Sequence, residues 1–219
     1  MKIGLDEYLI SIVLTVYNRK ELIFRAIESI EKQTYKNFEV IIVDDGSTDD
    51  IEKKLIPYVK DKNNFKYLRH SNRKPAYSLN SGMIISSGEF ITFLDSDDEY
   101  KPDHLEKRIE FFNSNKDIDL ICSTATLIGD EKDFFVPDVN DVNESIHIND
   151  CIIGATLFGK NEVFKKLNGF KDMYSYDSEF FERAIQNNIK VKKLDLPTYI
   201  YHRDNADSVI NNFRDKIKK

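Results

Sequence analysis

Apolar strands alternate with amphipathic helices along the first 94 residues of the chain. Residues 9–16 form a nearly unbroken apolar run rich in Ile and Val, which suits a strand buried on both faces. Apolar side chains then recur at helical spacing over residues 22–30, and further strands are predicted at 38–43, 65–69 and 89–94. This alternation predicts an α/β fold, with a Rossmann-like, mixed but mostly parallel sheet flanked by helices.

A few residues between these strands predict where helices begin or bend. Asn18 and Glu21 have the spacing of a capping box and predict the start of the first helix. Pro57 falls inside the apolar pattern of a second helix and is expected to kink or shorten it. Pro75 and Pro102 each suit the first turn of a later helix.

The alternation weakens after residue 98. A polar segment at 130–150 is predicted to be a loop. Further strands and short helices are predicted at 119–124, 152–158, 163–167, 180–185, 191–196 and 198–201. Because no Gly/Ser-rich or Pro-rich linker interrupts the chain, we expect one domain over residues 1–219.

Charge and cysteine content narrow the functional classes. The chain has 32 basic and 38 acidic residues and a net charge of -6, which argues against a nucleic acid partner. Cys122 and Cys151 match no paired metal-ligand spacing, so a reducing cytoplasm is expected. Acidic residues near Met1, and no run of 18 apolar residues in the sequence, lead us to expect neither a secretory signal nor a membrane span. Peripheral contact with the inner face of a membrane, through the basic residues at 214–219, stays open.

Two acidic clusters follow apolar strands. Asp44 and Asp45 end the second strand, and Asp95, Asp97 and Asp98 follow the strand at 89–94. Because the carboxyl ends of parallel strands share one edge of a sheet, both clusters are expected to lie at that edge, where ligands bind. Crowded carboxylates are costly unless they share a cation, and such hard oxygen ligands suit Mn²⁺ or Mg²⁺.

Other interpretations of these clusters stay open. Each cluster can be a solvated acidic turn, and Asp45 can form an Asx turn before Gly46. A calcium-binding EF-hand loop is excluded because Tyr100 takes the place of its required glycine. A phosphoryl-accepting receiver domain is disfavoured by the chain length, which is nearly twice that of such a domain, and by the lack of a suitably placed lysine.

Four segments resemble the family 2 glycosyltransferases in order and spacing. They are residues 11–18 (SIVLTVYN), 27–35 (IESIEKQTY), 38–49 (FEVIIVDDGSTD) and 88–98 (GEFITFLDSDD). The resemblance implies the A-type glycosyltransferase fold, a nucleotide-diphosphate sugar donor and a divalent cation. It also divides the domain into a nucleotide-sugar-binding half at 1–98 and an acceptor half at 99–219.

The resemblance assigns roles to residues in the first half. It implies that Thr15 and Tyr17 border the base and that Asp45 accepts a hydrogen bond from the ring N–H of uracil. Asp97 or Asp98 would reach the ribose and the metal. This agrees with general chemistry, because an aromatic ring stacks on a base and a carboxylate accepts from an imide N–H. Packing alone would also explain Tyr17.

The chain departs from the family pattern at two places. The basic residue usual in the third strand-helix unit is replaced by Leu79, so Arg73 or Lys74 would contact the diphosphate instead. The acidic pair of the catalytic motif lacks its first member. Its second member corresponds to Asp177, the expected general base of an inverting transferase, with Glu179 as the nearest substitute. Asp177 can also be a helix N-cap.

A late segment resembles a family motif whose histidine approaches the metal or the diphosphate. In this chain the motif is Tyr201, His202 and Arg203, followed by Ser208. The Gln-x-x-Arg-Trp signature of processive synthases is absent, and the chain has no Trp. We therefore expect a Mn²⁺- or Mg²⁺-dependent, inverting enzyme that moves one sugar from a nucleotide-diphosphate donor to a glycan or lipid-linked acceptor. The expected donor class is a UDP-sugar. The alternatives are a non-catalytic binding protein of the same fold and a nucleotidyltransferase, although the latter would need a Gly-rich phosphate loop.

Overall fold

A computed structural model describes residues 8–138 and 144–204. The strands in these ranges are β1 Ile10–Val16, β2 Phe38–Asp44, β3 Phe65–Arg69, β4 Phe90–Asp95, β5 Glu99–Tyr100, β6 Leu120–Ile128, β7 Phe135–Pro137, β8 Ser145–His147, β9 Phe158–Lys160 and β10 Val191–His202. The helices are α1 Ile23–Glu31, α2 Glu52–Val59, α3 Pro75–Ile84, α4 His104–Ser114, α5 Asn161–Lys166 and α6 Tyr176–Gln186. None of these helices is long and apolar enough to cross a membrane.

Eight strands form one sheet in the order β3-β2-β1-β4-β9-β6-β10-β5. The first four strands of that order are parallel, β9 is antiparallel to both β4 and β6, and β10 is parallel to β6. The carboxyl ends of β1, β2, β4, β6 and β10 therefore lie at the same edge, called here the carboxyl edge. The predicted mixed, mostly parallel sheet with flanking helices is confirmed.

Helices cover both faces of this sheet. Along β1, Ile12 and Leu14 pack with α1, α2 and α4, whereas Val13 packs with α3, α5 and α6. Successive side chains of a strand point to opposite faces, so a strand covered on both sides needs apolar residues throughout. This explains the unbroken apolar run of β1.

The predicted capping box at the start of the first helix is wrong. Helix α1 begins at Ile23, and its N-cap residue, Leu22, makes no side-chain capping hydrogen bond. Asn18 instead has a positive φ of 51°, and its Oδ1 accepts a 2.7 Å hydrogen bond from the backbone N–H of Thr48. Asn18 therefore joins the loop after β1 to the loop after β2.

The strand predicted at 152–158 is also wrong. Gly154–Thr156 forms a 3-10 turn, and β9 begins only at Phe158. The Thr156 hydroxyl accepts a 3.0 Å hydrogen bond from the backbone N–H of Ser123. It also donates a 3.1 Å hydrogen bond to the backbone carbonyl oxygen of Ser123. The Thr156 side chain thus takes the place of the backbone hydrogen bonds that a neighbouring strand would make with this part of β6.

Two other predictions in the second half need correction. Within the predicted loop at 130–150, β7 and β8 form an antiparallel pair; residues 139–143 lie outside the described ranges. The two closing strands are one strand, β10, whose register against β6 shifts between Leu194 and Tyr199.

Pro57 lies inside the eight-residue helix α2. The basic segment at 214–219 and Ser208 lie outside the described residues.

Candidate active site

The carboxyl edge brings Thr15 of β1 beside Asp95 of β4. The two residues are paired in the parallel register, and Val43 of β2 is the partner of Thr15 on the other side. Burial and the charges of Asp97 and Asp177 raise the pKa of Asp95 to about 7. The Thr15 hydroxyl opposes this rise by hydrogen bonding to the Asp95 carboxylate. The carboxylates of two separate segments, the turn after β4 and the first turn of α6, are therefore close enough to influence each other at this edge.

Asp45 and Arg73 are joined by a hydrogen bond. The Arg73 backbone N–H donates to Asp45 Oδ1 at 2.7 Å, and His70 Nδ1 lies 3.4 Å from the same oxygen. The Asp45 N–H donates to the carbonyl oxygen of Val16, which fixes the start of the loop. The side chain of Arg73 is exposed, as is Tyr17 at the end of β1. Both of these side chains are thus accessible to a ligand.

Gly46 allows the segment after β3 to approach Asp45 closely. Its φ is +76°, and a Cβ atom at this position would lie 2.6 Å from the backbone nitrogen of Asn72. A side chain is therefore excluded both by the backbone conformation and by space. The result is a cleft lined by Gly46, Arg69, His70, Ser71 and Asn72.

Asp44, the neighbour of Asp45, has a different environment. It is completely buried; its Oδ1 accepts from the Ser47 N–H at 2.8 Å and its Oδ2 accepts from the Tyr67 hydroxyl at 2.8 Å. Arg69 Nε lies 3.3 Å from Asp44 Oδ2. Asp44 therefore holds the loop together, which leaves Asp45 as the acidic residue of this pair that lines the site.

Asp97 and Asp98 also differ in their environments. The Asp98 carboxylate is buried and accepts hydrogen bonds from the Tyr199 hydroxyl at 2.6 Å and from the His202 N–H at 2.8 Å. Burial raises the pKa of Asp98, and the negative charges of Asp97 and Asp95 add to that rise. The Asp97 side chain is partly exposed, with Arg19 Nε 3.9 Å from its Oδ2.

His202 lies beside this acidic turn. Its Nε2 is 2.9 Å from Glu99 Oε1. Its Nδ1 is buried, lies 3.6 Å from Asp204 Oδ1 and has no hydrogen-bond partner within residues 8–138 and 144–204. A buried ring nitrogen without a partner is suited to ligate a metal. His202 and the partly exposed carboxylate of Asp97 are therefore the candidate protein ligands for a cation whose other ligands would be substrate oxygens.

The described ranges contain no group of three or more His, Cys, Asp or Glu side chains arranged to hold a metal ion. Two protein ligands are nevertheless sufficient for Mg²⁺-type sites in which phosphate oxygens and water supply the others. The residues present thus fit a cation bound together with a diphosphate.

Asp177 is in the first turn of α6. The N-cap of this helix is Ser175, so the N-cap alternative for Asp177 is wrong. Asp177 Oδ2 accepts a 3.0 Å hydrogen bond from the Gly154 N–H, and burial raises the pKa of Asp177. A Cβ atom on Gly154 would lie only 2.9 Å from the Asp177 Cβ. The 3-10 turn at Gly154–Thr156 therefore positions this carboxylate.

Glu179 has a charged partner on each side. Arg183 Nε and Nη2 each lie 2.8 Å from one of its carboxylate oxygens, and Lys171 forms a second ion pair. The hydrogen bonds from Arg183, assisted by Lys171, lower the pKa of Glu179 to about 2. Because so acidic a group is a weak base, Asp177 is better suited to accept a proton at neutral pH.

Sequence reasoning missed three residues at this site. Arg25 donates a hydrogen bond to the backbone carbonyl oxygen of Asp97, and its Nε lies 3.4 Å from Glu99 Oε1. Arg19 lies beside Asp97, and Tyr199 bonds to Asp98. Arg25 and Asp97 are 72 positions apart in the sequence, and Tyr199 and Asp98 are 101 positions apart. No local pattern identifies such pairs.

Comparison with known proteins shows the family to which this chain belongs. The model of glycosyl transferase family 2 matches residues 11–173. An Escherichia coli protein named UDP-Glc:alpha-D-GlcNAc-diphosphoundecaprenol beta-1,3-glucosyltransferase WfaP is 29% identical over 96% of this chain and 84% of its own length. An uncharacterised glycosyltransferase of Rickettsia bellii is 41% identical over 74% of this chain. The match spans only 17–23% of the length of three rickettsial relatives and 56–59% of the length of two others.

Solved structures share the fold. Staphylococcus aureus TarS in complex with UDP-GlcNAc has a TM-score of 0.73 and 21% identity, covering 93% of this chain and 60% of that one. The Pyrobaculum calidifontis mannosyltransferase PcManGT, in complex with GDP-Man and Mn²⁺, has a TM-score of 0.72 and 16% identity, covering 94% and 60%. Both have the A-type glycosyltransferase fold, which confirms the predicted fold class. Together with the family match, these findings establish that the chain belongs to glycosyl transferase family 2.

Proposed function

We propose that this chain transfers a single sugar from a UDP-sugar to a saccharide acceptor, with inversion at the anomeric carbon. The observation that carries the proposal is the meeting of three groups at the carboxyl edge. They are the Asp45–Arg73 loop, the partly exposed Asp97 and the buried Asp177. These provide, in turn, a base-recognition group, a cation ligand and a proton acceptor.

The donor nucleotide would bind next to the end of β1. Asp45 Oδ1 already accepts from Arg73 N–H, which leaves the other carboxylate oxygen to accept from the imide N–H of uracil. The exposed ring of Tyr17 would stack on the base, and the guanidinium of Arg73 would contact the diphosphate. The TarS complex with UDP-GlcNAc supports a uridine nucleotide as the donor class.

Asp97 and His202 would hold Mn²⁺ or Mg²⁺ together with the diphosphate. Three observations support this assignment: the Nδ1 of His202 has no hydrogen-bond partner in the part of the chain that the structure describes, the Asp97 carboxylate is partly exposed, and the PcManGT complex contains Mn²⁺. When bound, the cation would neutralise charge on the leaving diphosphate. Asp98, whose two oxygens accept protein hydrogen bonds, would position His202 instead of binding the metal directly.

Asp177 would act as the general base. An acceptor hydroxyl is a poor nucleophile, so its proton would pass to Asp177 as the oxygen attacks the anomeric carbon. The new C–O bond forms on the face opposite the breaking bond, and UDP leaves with the electron pair of that bond. The raised pKa of Asp177 increases its strength as a base, and the Gly154 N–H holds it in place.

The acceptor class we propose is a lipid-linked saccharide. The name of WfaP gives a sugar linked to diphosphoundecaprenol as the acceptor of that enzyme. WfaP matches 96% of this chain and 84% of its own length. The absence of the Gln-x-x-Arg-Trp signature favours the addition of one residue over processive synthesis.

Turnover with defined substrates tests the proposal. The chain would be incubated with Mn²⁺, a panel of UDP-sugars and short-chain analogues of lipid-diphosphate saccharides. Mass spectrometry would detect a product heavier by one sugar, and NMR would report its anomeric configuration. Inversion is expected. UDP-sugar binding without turnover on any acceptor would favour the alternative of a non-catalytic binding protein.

A further inference from the structure

The His202 ring has a carboxylate beside each of its two nitrogens. Nε2 is 2.9 Å from Glu99 Oε1, and Nδ1 is 3.6 Å from Asp204 Oδ1. A neutral imidazole carries one ring hydrogen, so it can donate to only one of these two carboxylates. The carboxylate that receives the hydrogen therefore decides which ring nitrogen keeps a free electron pair.

The two distances favour donation to Glu99. A separation of 2.9 Å is that of an ordinary N–H···O hydrogen bond, whereas 3.6 Å is too long for one. The Glu99 side chain is 28% exposed and that of Asp204 is 57% exposed, so water competes more strongly for Asp204. The ring hydrogen is therefore assigned to Nε2, which leaves the electron pair on the buried Nδ1.

The pairing of β5 with β10 brings Glu99 to the His202 ring. Glu99 is opposite Ile200 in this antiparallel pair, and His202 lies two residues further along β10. Residues two apart on a strand point to the same face, so Glu99 and His202 are diagonal neighbours on one face of the sheet. The contact thus follows from the register of the two strands.

Arg25 of α1 restrains Glu99 from another side. Its Nε lies 3.4 Å from the same Oε1 atom that faces His202, and its Nη2 donates a hydrogen bond to the backbone carbonyl oxygen of Asp97. The ion pair holds the Glu99 carboxylate, and the hydrogen bond holds the turn that carries Asp97. One arginine therefore connects the supports of both candidate cation ligands.

We propose that Glu99 is a positioning residue for the cation site. Its carboxylate accepts the Nε2–H of His202, fixes the orientation of the ring and leaves the Nδ1 electron pair for a cation bound with the diphosphate. Histidines that ligate metals commonly donate their other ring N–H to a carboxylate in this way. The inference rests on the proposed function, in which His202 and Asp97 are the protein ligands of the cation.

Nitrogen-15 NMR of the metal-free chain tests the orientation of the ring without any substrate. The chain, labelled at its histidine nitrogens, would be studied in EDTA at about pH 8, where an ordinary imidazole is neutral. The chain has four histidines, and a His202→Gln variant identifies the His202 signals. We expect the hydrogen on Nε2 in the parent. Glu99→Ala should give a mixture of the two neutral ring forms, whereas Glu99→Gln retains an oxygen that can accept the hydrogen and should keep the parent form.

Two control variants separate the effect of Glu99 from a general loss of negative charge. Asp204→Asn changes the carboxylate beside Nδ1 and should leave the hydrogen on Nε2. Glu89→Ala makes the same chemical change as Glu99→Ala, but it lies immediately before β4, at the opposite edge of the sheet. Glu89→Ala should match the parent in both ring form and nucleotide binding.

Isothermal titration calorimetry tests the consequence for the cation. Glu99→Ala should weaken Mn²⁺-dependent UDP binding by about tenfold or more, the usual effect of removing a group that supports a metal ligand. Its UDP affinity in EDTA should equal that of the parent, which shows that the variant is folded. Glu99→Gln should retain most of the Mn²⁺-dependent affinity.

Three results would overturn the proposal. The first is a parent His202 ring with hydrogen on Nδ1 or on both nitrogens, and the second is an unchanged ring form in Glu99→Ala. The third is an altered ring form in Glu99→Ala with unchanged Mn²⁺-dependent affinity, because the orientation of the ring would then not matter to the cation. A parent chain that binds no UDP in the presence of Mn²⁺ would contradict the proposed function instead, and the ring form in EDTA would still decide whether Glu99 orients His202.

Discussion

Tyr199 on β10 donates a 2.6 Å hydrogen bond to Asp98, which follows β4. The other oxygen of Asp98 accepts from the backbone N–H of His202. The buried Asp98 carboxylate therefore connects the acidic turn to β10 and holds the backbone of His202 in place. Asp98 and Asp97, adjacent in the sequence, consequently have different environments: the Asp98 carboxylate is buried and bonded within the protein, whereas the Asp97 carboxylate is partly exposed.

Tyr199→Phe should reduce the free energy of unfolding by about 1–3 kcal/mol. The change leaves the Asp98 carboxyl buried without one of its donors, and an unsatisfied buried polar group costs about that much. Tyr201→Phe, on the same strand but outside the Asp98 contact, is the matched control and should unfold nearly as the parent does. Denaturant unfolding followed by circular dichroism measures both. Equal stability of the two variants would contradict a structural role for the Tyr199 hydroxyl.

Asp97→Asn should weaken Mn²⁺-dependent UDP binding by about tenfold or more, which corresponds to roughly 1.4 kcal/mol. The substitution removes a full negative charge from the proposed cation site and leaves the side-chain shape nearly unchanged. Isothermal titration calorimetry with Mn²⁺, repeated in EDTA, separates the metal-dependent part of the affinity. If parent and variant lose the same affinity on chelation, Asp97 does not bind the metal.

The position of the acidic clusters could be predicted from the sequence because it depends on strand order alone. Asp45 and Asp95 each end an apolar run, and parallel neighbours must present those ends at one edge. The partners of these residues could not be predicted. Tyr199 and Arg25 reach the acidic turn across 101 and 72 positions. Only the packing of β10 and α1 brings them there.

Local sequence patterns failed where a long-range contact was stronger. Asn18 has the spacing of a helix cap, but the N–H of Thr48 is available to its side chain once β1 and β2 pair. The apolar run at 152–158 suits a strand, yet Gly154 donates to Asp177 and Thr156 bonds to Ser123. Both errors arise because side chains with hydrogen-bonding groups compete with regular secondary structure.

Asp45→Ala should abolish a preference for UDP over GDP. It removes the oxygen proposed to accept from uracil and also the acceptor of the Arg73 N–H. Gly46→Ala is a second test, because its Cβ would displace Asn72 and with it the loop that carries Arg73. In fluorescence titration, Asp45→Ala should lose more affinity for UDP than for GDP, because only UDP loses the uracil contact, whereas Gly46→Ala should weaken both nucleotides because the displaced loop carries Arg73. Equal UDP and GDP binding by the parent would argue against uracil recognition by Asp45.

Asp177→Asn should reduce sugar transfer by roughly a hundredfold or more, the usual contribution of a general base, without changing UDP affinity. Glu179→Gln is the comparison, and it should retain much more activity because the Glu179 carboxylate is already paired with Arg183. In the parent, transfer should fall as pH is lowered through the pKa of Asp177. Burial raises that pKa, so the loss should begin at a higher pH than for an ordinary aspartate. If the loss of sugar transfer at low pH is unchanged in Asp177→Asn, that loss is due to a group other than Asp177.

The same substitution should change the pH dependence of stability. Because the pKa of Asp177 is higher in the folded chain than in the unfolded chain, the folded state favours the protonated form and is destabilised when the group ionises. Asn stays neutral, but its Oδ1 can accept from only one of the two backbone N–H groups, those of Gly154 and Ser178, that donate to the two Asp177 oxygens. The melting temperature of Asp177→Asn, measured relative to that of the parent, should therefore be highest at pH 7.5 and should decrease as pH falls through the folded pKa of Asp177. A melting-temperature difference that does not change with pH would mean that ionisation of Asp177 does not destabilise the fold, which would remove the electrostatic reason for Asp177 to act as a base.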